Sequence, residues 1–346
     1  MEYRLLGNTG LIVSRLAFGA LTLTRGDTMS GIAKLQGADA EAIVGRALDA
    51  GINFFDTADI YASGQSEEVL GQALAPHRDG AVIATKVMGR TGSPVVQAGL
   101  SKRHVSWAIE QSLRRLGTDW VDVYIAHNED PYTPLEETLE ALDAVVRAGK
   151  ARYLGFSNWS AWKVAAALEL QRANGWAPFT HGQVYYSLLG RDIERDLVPL
   201  TQRYGTGLTV WGPLAGGFLS GKYRRDAAAA PGDRLASIDP LPFDRDVGFA
   251  VLDELRVIAG DTGASVAQVA LAWLLGKPAV TSVILGASSA TQLDENLGAL
   301  DCSLDPTTLA RLDALTAPAE LYPHWHWRNA ADPVTEAAVG KDGGGE

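Results

Sequence analysis

The chain has 346 residues, 47% of them apolar and 21% charged, enough apolar surface for a large core and too ordinary a composition for a disordered chain. A net charge of −11 with scattered Lys and Arg argues against a nucleic-acid or anionic-membrane partner. The single cysteine, Cys302, excludes an internal disulfide and a thiolate metal cluster.

The N-terminal stretch MEYRLLGNTG has neither the basic start nor the apolar run of a secretory signal, and no apolar stretch approaches the ~18 residues that span a bilayer. A soluble cytoplasmic protein is expected. YRLL and LIVSRL, separated by GNTG, read as a small hairpin. Eight strand-like runs follow: LAFGAL (16–21), INFFDTA (52–58), AVIATK (81–86), VDVYIAH (121–127), ARYLGFSN (151–158), HGQVYYS (181–187), GLTVWGPL (207–214) and TSVILGAS (281–288). Helical stripes lie between them. Ala42, Ile43, Ala47 and Leu48 form one that stops at Gly51. Thr133-Pro134-Leu135-Glu136 reads as a capping box with proline at the first helical position, opening a stripe that ends at Gly149. Ser265 and Gln268 form a second box before VAQVALAWLL.

Strands alternating with helices are parallel and joined by crossovers, which leaves a closed (β/α)8 TIM barrel or an open doubly wound sheet. The count of eight and the lack of G-x-G-x-x-G after the first run favour the barrel, over residues 1–331. Residues 332–346 show no periodicity and are expected to be disordered. Two long irregular segments, 22–38 and 221–246, follow the first and seventh runs and so belong to the face where barrel enzymes bind ligands.

Asp56, Lys86 and His127 end three consecutive apolar runs, and Tyr61 follows Asp56 by five residues. Each alone has a structural explanation: a cap, a solvated lysine, a packed ring. Together, at one end of adjacent strands, they form a chemical constellation. Lys86 is the counter-ion a buried Asp56 needs, and its charge is expected to lower the Tyr61 pKa toward working range. Tyr61 can then give a proton to a developing alkoxide, with His127 donating a second hydrogen bond to the same oxygen. The attacking group is absent from the side chains, and a nicotinamide hydride fits.

These residues resemble the aldo-keto reductase family, over essentially the whole chain, in DTADIY, ATK and VDVYIAH. The resemblance implies a barrel that uses NADPH without a dinucleotide-fold domain, with Asp56, Tyr61, Lys86 and His127 as its catalytic tetrad. It also implies cofactor contacts at Ala20, Leu21 and Asp56. GFSNW and HGQVYYS resemble the carboxamide-binding parts, implicating Ser157, Asn158 and Gln183. VWGPLAGGFLSGKY resembles the nicotinamide-stacking and pyrophosphate segment, pointing to Trp211, Gly212, Pro213, Leu214, Ala215, Gly216 and Lys222. GASSATQLDENLGAL is similar to the adenosine-end motif, implicating Gly286, Ser288, Gln292, Glu295 and Asn296. That form and the long loop after the seventh strand are most similar to the bacterial and potassium-channel β-subunit branch, where an arginine in the loop holds the adenosine phosphate; Arg234 is the candidate here. The motif opens with Gly286-Ala287-Ser288, where other branches carry Lys or Arg. NADPH is still favoured over NADH, no metal is expected, and the implied partner is a small carbonyl compound.

Three other readings compete. GGFLSGKY nearly spells a phosphate loop, but Tyr223 stands where the metal-binding hydroxyl is required. The remaining histidines have no metal-ligand spacing, and HWHW (324–327) reads as an aromatic flap over the mouth. An NADPH-binding regulatory or sensor protein with little turnover is the rival from another class, and His127 weighs against it because that branch is expected to have Asn there.

Overall fold

The computed structural model describes residues 1–26, 35–225, 227, 241–330 and 332–339. Strands β1 (Tyr3–Leu5) and β2 (Ile12–Ser14) pair antiparallel, with Tyr3 opposite Ser14, as the hairpin the sequence predicts. The eight apolar runs become β3 (Leu16–Gly19), β4 (Phe54–Asp56), β5 (Val82–Val87), β6 (Val121–Ala126), β7 (Ala151–Ser157), β8 (Phe179–Tyr185), β9 (Gly207–Trp211) and β10 (Val280–Leu285). All pair parallel in chain order, and β10 closes on β3 with Val283 beside Leu16. This is a (β/α)8 barrel.

The strands are apolar along their length because both faces are covered. Inside the barrel Ala17, Phe54, Val123 and Ile125 form a small cluster, and Leu6 and Val13 of the hairpin plug it from below. A larger cluster fills the layer between strands and helices. Buried Arg15 seals the lower end by donating to the carbonyls of Leu275, Val280 and Thr281.

The outer helices are α1 (Gly37–Asp49), α2 (Gln65–Leu74), α3 (Lys102–Leu116), α4 (Leu135–Arg147), α5 (Ala161–Asn174), α6 (Leu197–Tyr204), α7 (Arg245–Thr262), α8 (Val266–Leu275), α9 (Ala290–Leu297), α10 (Pro306–Leu315), α11 (His324–Asn329) and α12 (Pro333–Val339). In α1 the buried stripe is Ala40, Ile43, Val44 and Ala47, while Ala42 points outward. The capping box at Ser265 is present, with both reciprocal hydrogen bonds. The box expected at Thr133 is not. Pro134 occupies the N-cap position of α4, and the Thr133 hydroxyl donates to Asp130 Oδ2 at 2.7 Å instead.

Of the tail expected to be disordered, 332–339 is described and 340–346 lies outside the described residues. Residues Pro333–Val339 form α12, because Asp332 accepts from the N–H groups of Val334 and Thr335 and a proline starts the turn. Among the described residues no single helix is long and apolar enough to cross a membrane.

Candidate active site

β4, β5 and β6 deliver three functional side chains to one end of the barrel. Asp56 is the last residue of β4, Lys86 lies on the adjoining β5, and His127 follows β6 with its N–H on the Val87 carbonyl at 2.9 Å. Tyr61 opens a 3-10 turn, Tyr61–Gly64, after β4. Lys86 is fully buried, and its three ammonium donors are all used. Nζ lies 2.7 Å from Asp56 Oδ2, 2.7 Å from the Thr57 carbonyl and 3.2 Å from Tyr61 Oη. The Tyr61 and His127 rings sit edge to face, 5.9 Å apart. The four residues the sequence singled out therefore meet at one point.

The electrostatics correct one expectation. Burial pushes the Tyr61 phenol up; Lys86 pulls it down, and Asp56 opposes that pull. The net direction is upward, so the phenol holds its proton, because desolvation outweighs a single ammonium whose charge Asp56 already offsets. Burial alone would lower Lys86, but Asp56 and then Tyr61 hold it above the ordinary lysine value. His127 is lowered to about 3 by burial and by the Lys86 charge, which makes it a neutral imidazole that donates through one nitrogen.

A cavity of about 460 Å³ opens from this cluster. Its walls include Leu21, Ser157, Asn158, Gln183, Trp211, Gly212, Pro213, Leu214, Gly216, Lys222, Gly286, Ser288, Gln292 and Asn296, all expected from the sequence. Three expected cofactor contacts among the described residues are not on the wall. Ala20 is buried, with its carbonyl taken by Ser66 Oγ at 2.7 Å. Ala215 is buried behind its glycine neighbours. Glu295 is exposed on α9, and its carbonyl accepts from Gln268 Nε2. Arg234 lies outside the described residues. Gly19, Thr22, Gly217, Leu241, Ile284, Leu285 and Ala287 line the cavity without having been singled out. Gly217 continues a glycine pair whose doubling was a readable signal, and Leu241 belongs to the long 221–246 segment. The HWHW stretch does not line this cavity: α11 exposes Trp325 and Trp327, with His324 Nε2 3.5 Å from Asp196 Oδ1.

Two of the expected carboxamide ligands have their amides engaged. Gln183 Nε2 donates to Asp56 Oδ1 at 2.7 Å, which completes the carboxylate. Asn158, in a left-handed conformation (φ 58°), accepts from Trp211 Nε1 and donates to the His127 carbonyl and Asn128 Oδ1. Ser157 Oγ differs: it is buried at the cavity wall with no partner, an unanswered polar group of the kind a bound carboxamide satisfies. Farther along, Ala215, Gly216 and Gly217 take left-handed φ values of 47°, 68° and 93° in succession. Within this tight turn the Ala215 and Gly217 N–H groups are held by the Gly212 and Leu214 carbonyls at 2.9 Å, while Gly216 and Gly217 leave the wall free of side-chain bulk beside Lys222, whose cation suits a pyrophosphate. The residues present fit a nicotinamide dinucleotide.

Residues 15–317 match the Aldo/keto reductase family. A probable voltage-gated potassium channel subunit beta of Oryza sativa subsp. japonica is 36% identical over 334 residues, covering 91% of this chain and 96% of the relative. A putative subunit of the same type in Schizosaccharomyces pombe is 38% identical, covering 91% and 93% respectively. Versiconal hemiacetal acetate reductase of Aspergillus parasiticus is 32% identical over 93% of this chain and 99% of its own length. On sequence and barrel together, the chain belongs to the aldo/keto reductase family of oxidoreductases, among its potassium-channel β-subunit-like members.

Proposed function

We propose that the protein reversibly reduces an aldehyde or ketone to the alcohol, using NADPH. The observation that carries this reading is the Lys86 ammonium, which donates at once to Asp56 and to the Tyr61 hydroxyl, 2.7 and 3.2 Å away. When bound, the nicotinamide supplies hydride to the carbonyl carbon. As the C=O electron pair moves onto oxygen, the Tyr61 O–H bond breaks and its proton completes the alcohol. The phenolate left behind is stabilised by Lys86, and neutral His127 donates a second hydrogen bond to the reacting oxygen. Asp56, held by Gln183, keeps Lys86 in place. Ser157 and Lys222 are the proposed anchors for the carboxamide and the pyrophosphate, and a freely diffusing carbonyl compound in the cytoplasm is the proposed partner.

Tyr61→Phe tests this directly. With NADPH and 4-nitrobenzaldehyde, kcat is expected to fall by about 10²- to 10⁴-fold while NADPH affinity stays at the wild-type value. Wild-type turnover in the variant would remove the proton-donor assignment. The potassium-channel names of two relatives favour a second reading, an NADPH sensor with little turnover. Tight NADPH binding without oxidation on adding any of a broad set of aldehydes and ketones would establish it.

A further inference from the structure

Tyr61 is followed by three consecutive residues in left-handed conformation: Ala62 (φ 47°), Ser63 (φ 57°) and Gly64 (φ 92°). Two of these carry side chains, and such conformations persist only where surrounding contacts impose them. One such contact, at Gly64, is Arg115 of α3. Its side chain lies so close to Gly64 that a Cβ at that position would come within 2.8 Å of Arg115 Cδ and 2.9 Å of Nε. Arg115 Nε in turn donates to Glu67 Oε2 at 2.6 Å, and Glu67 is fully buried on α2. The other Glu67 oxygen accepts from Thr85 Oγ1 at 2.5 Å, and Thr85 immediately precedes Lys86 on β5. The contacts close a ring: Tyr61 turn, Gly64, Arg115, Glu67, Thr85, Lys86, and back through the ammonium to the phenol.

We propose that Arg115 and Glu67 are positioning residues for the proton transfer: behind the cavity they brace the left-handed turn carrying Tyr61 against the strand carrying Lys86, and so set the 3.2 Å contact between the two. This rests on Tyr61 being the proton donor proposed above. Neither residue lines the cavity. The groups that act electrostatically on Tyr61 are Lys86, Asp56 and Asp59, with the His127 ring packed against it. The brace governs Tyr61 through distance rather than through its own charge.

Arg115→Ala would strand a buried carboxylate and threaten folding, so two gentler variants are used. Arg115→Lys keeps the charge but loses the planar guanidinium that packs against Gly64 and donates through Nε to Glu67. The double variant Arg115→Met/Glu67→Gln removes both charges at similar volume. Each is measured for kcat with 4-nitrobenzaldehyde, for NADPH affinity by fluorescence, and for thermal melting. Ionisation of Tyr61 is followed by near-ultraviolet absorbance, as the difference from the same variant carrying Tyr61→Phe. The expected result is a kcat loss of about 10- to 100-fold with NADPH affinity unchanged, the size that a small misplacement of a reacting group produces. The Tyr61 titration is expected to move to higher pH as the phenol loses the Lys86 contact that pulls its pKa down. Lys102→Ala, which breaks the exposed Lys102–Glu140 pair, serves as the control and is expected to change none of these.

Folded variants with wild-type kcat and an unmoved Tyr61 titration overturn the proposal. So does a loss of melting temperature with the titration unmoved, which assigns the pair to stability alone. Should the double variant not fold, Arg115→Lys decides. If the wild-type enzyme reduces no carbonyl, the reductase reading fails by itself, and the Tyr61 titration still decides whether the brace exists.

Discussion

Asp59 lies two residues before Tyr61, almost fully buried, and neither of its carboxylate oxygens makes a hydrogen bond of good geometry. Burial and then the neighbouring Glu67 push its pKa well above the carboxylate range; Arg115 and Lys86 pull it back only in part. A carboxyl group with a raised folded-state pKa favours folding fully below its unfolded pKa of about 4, and that contribution is lost as pH rises through the folded value. Above the ordinary carboxylate range, burying Asp59 therefore costs stability. Asp59→Asn removes that cost, so its melting temperature is expected to exceed wild type at pH 7. The gap should close as the buffer is taken below the ordinary carboxylate range, and a gap that does not vary with pH would contradict the assignment. At this scale the sequence revealed the three residues at strand ends, with Tyr61 close behind one of them, because a polar group terminating an apolar run has few places to go. It did not reveal that Gln183 would hold Asp56, a partnership between residues 127 apart that depends on barrel closure. Nor did it reveal the direction of the Tyr61 shift, which is decided by the depth of enclosure.

Among the elements, the two capping motifs had opposite outcomes for a physical reason. Ser265 has an extended backbone, and its hydroxyl accepts from the Gln268 N–H, while the Gln268 side chain returns to the Ser265 N–H at 2.8 Å. Thr133 has the same local spelling, but Asp130 draws its hydroxyl away and also accepts from the N–H groups of Leu100 and Tyr132. Competition from outside the motif is invisible to local pattern reading. Ser265→Ala is expected to cost about 1 kcal/mol of stability and leave kcat unchanged, as read from urea unfolding and steady-state rates. A larger loss would show that the cap also supports the contact between Gln268 and the Glu295 carbonyl on α9. The helix at Pro333–Val339 carries its signal in the Asp-Pro start rather than in apolar periodicity, which its seven residues lack.

For the whole molecule, the alternation of eight strands with helices was enough to name the barrel, since crossover connections leave few other ways to cover both strand faces. The two ends of the barrel carry separate tasks. Arg15, at the end opposite Tyr61, satisfies three backbone carbonyls and has its pKa lowered to about 10 by burial and by Arg4. Arg15→Met removes those buried donors, although Arg4 Nη1 still reaches the Val280 carbonyl at 3.2 Å, and a loss of about 3 kcal/mol or more is expected in denaturant unfolding, with the kcat of the folded fraction intact. A fall in kcat in step with stability would show that the two ends are coupled.

β4 and β8 face each other across the ring of strands, and the bond between Asp56 and Gln183 joins them at 2.7 Å. It acts as a tie-rod spanning the bore. The girth of the cylinder at its working rim and the seating of its reagent are thus specified by the same carboxylate, so loops may be reshaped for new substrates, but any change that slackens the bore also detunes the chemistry.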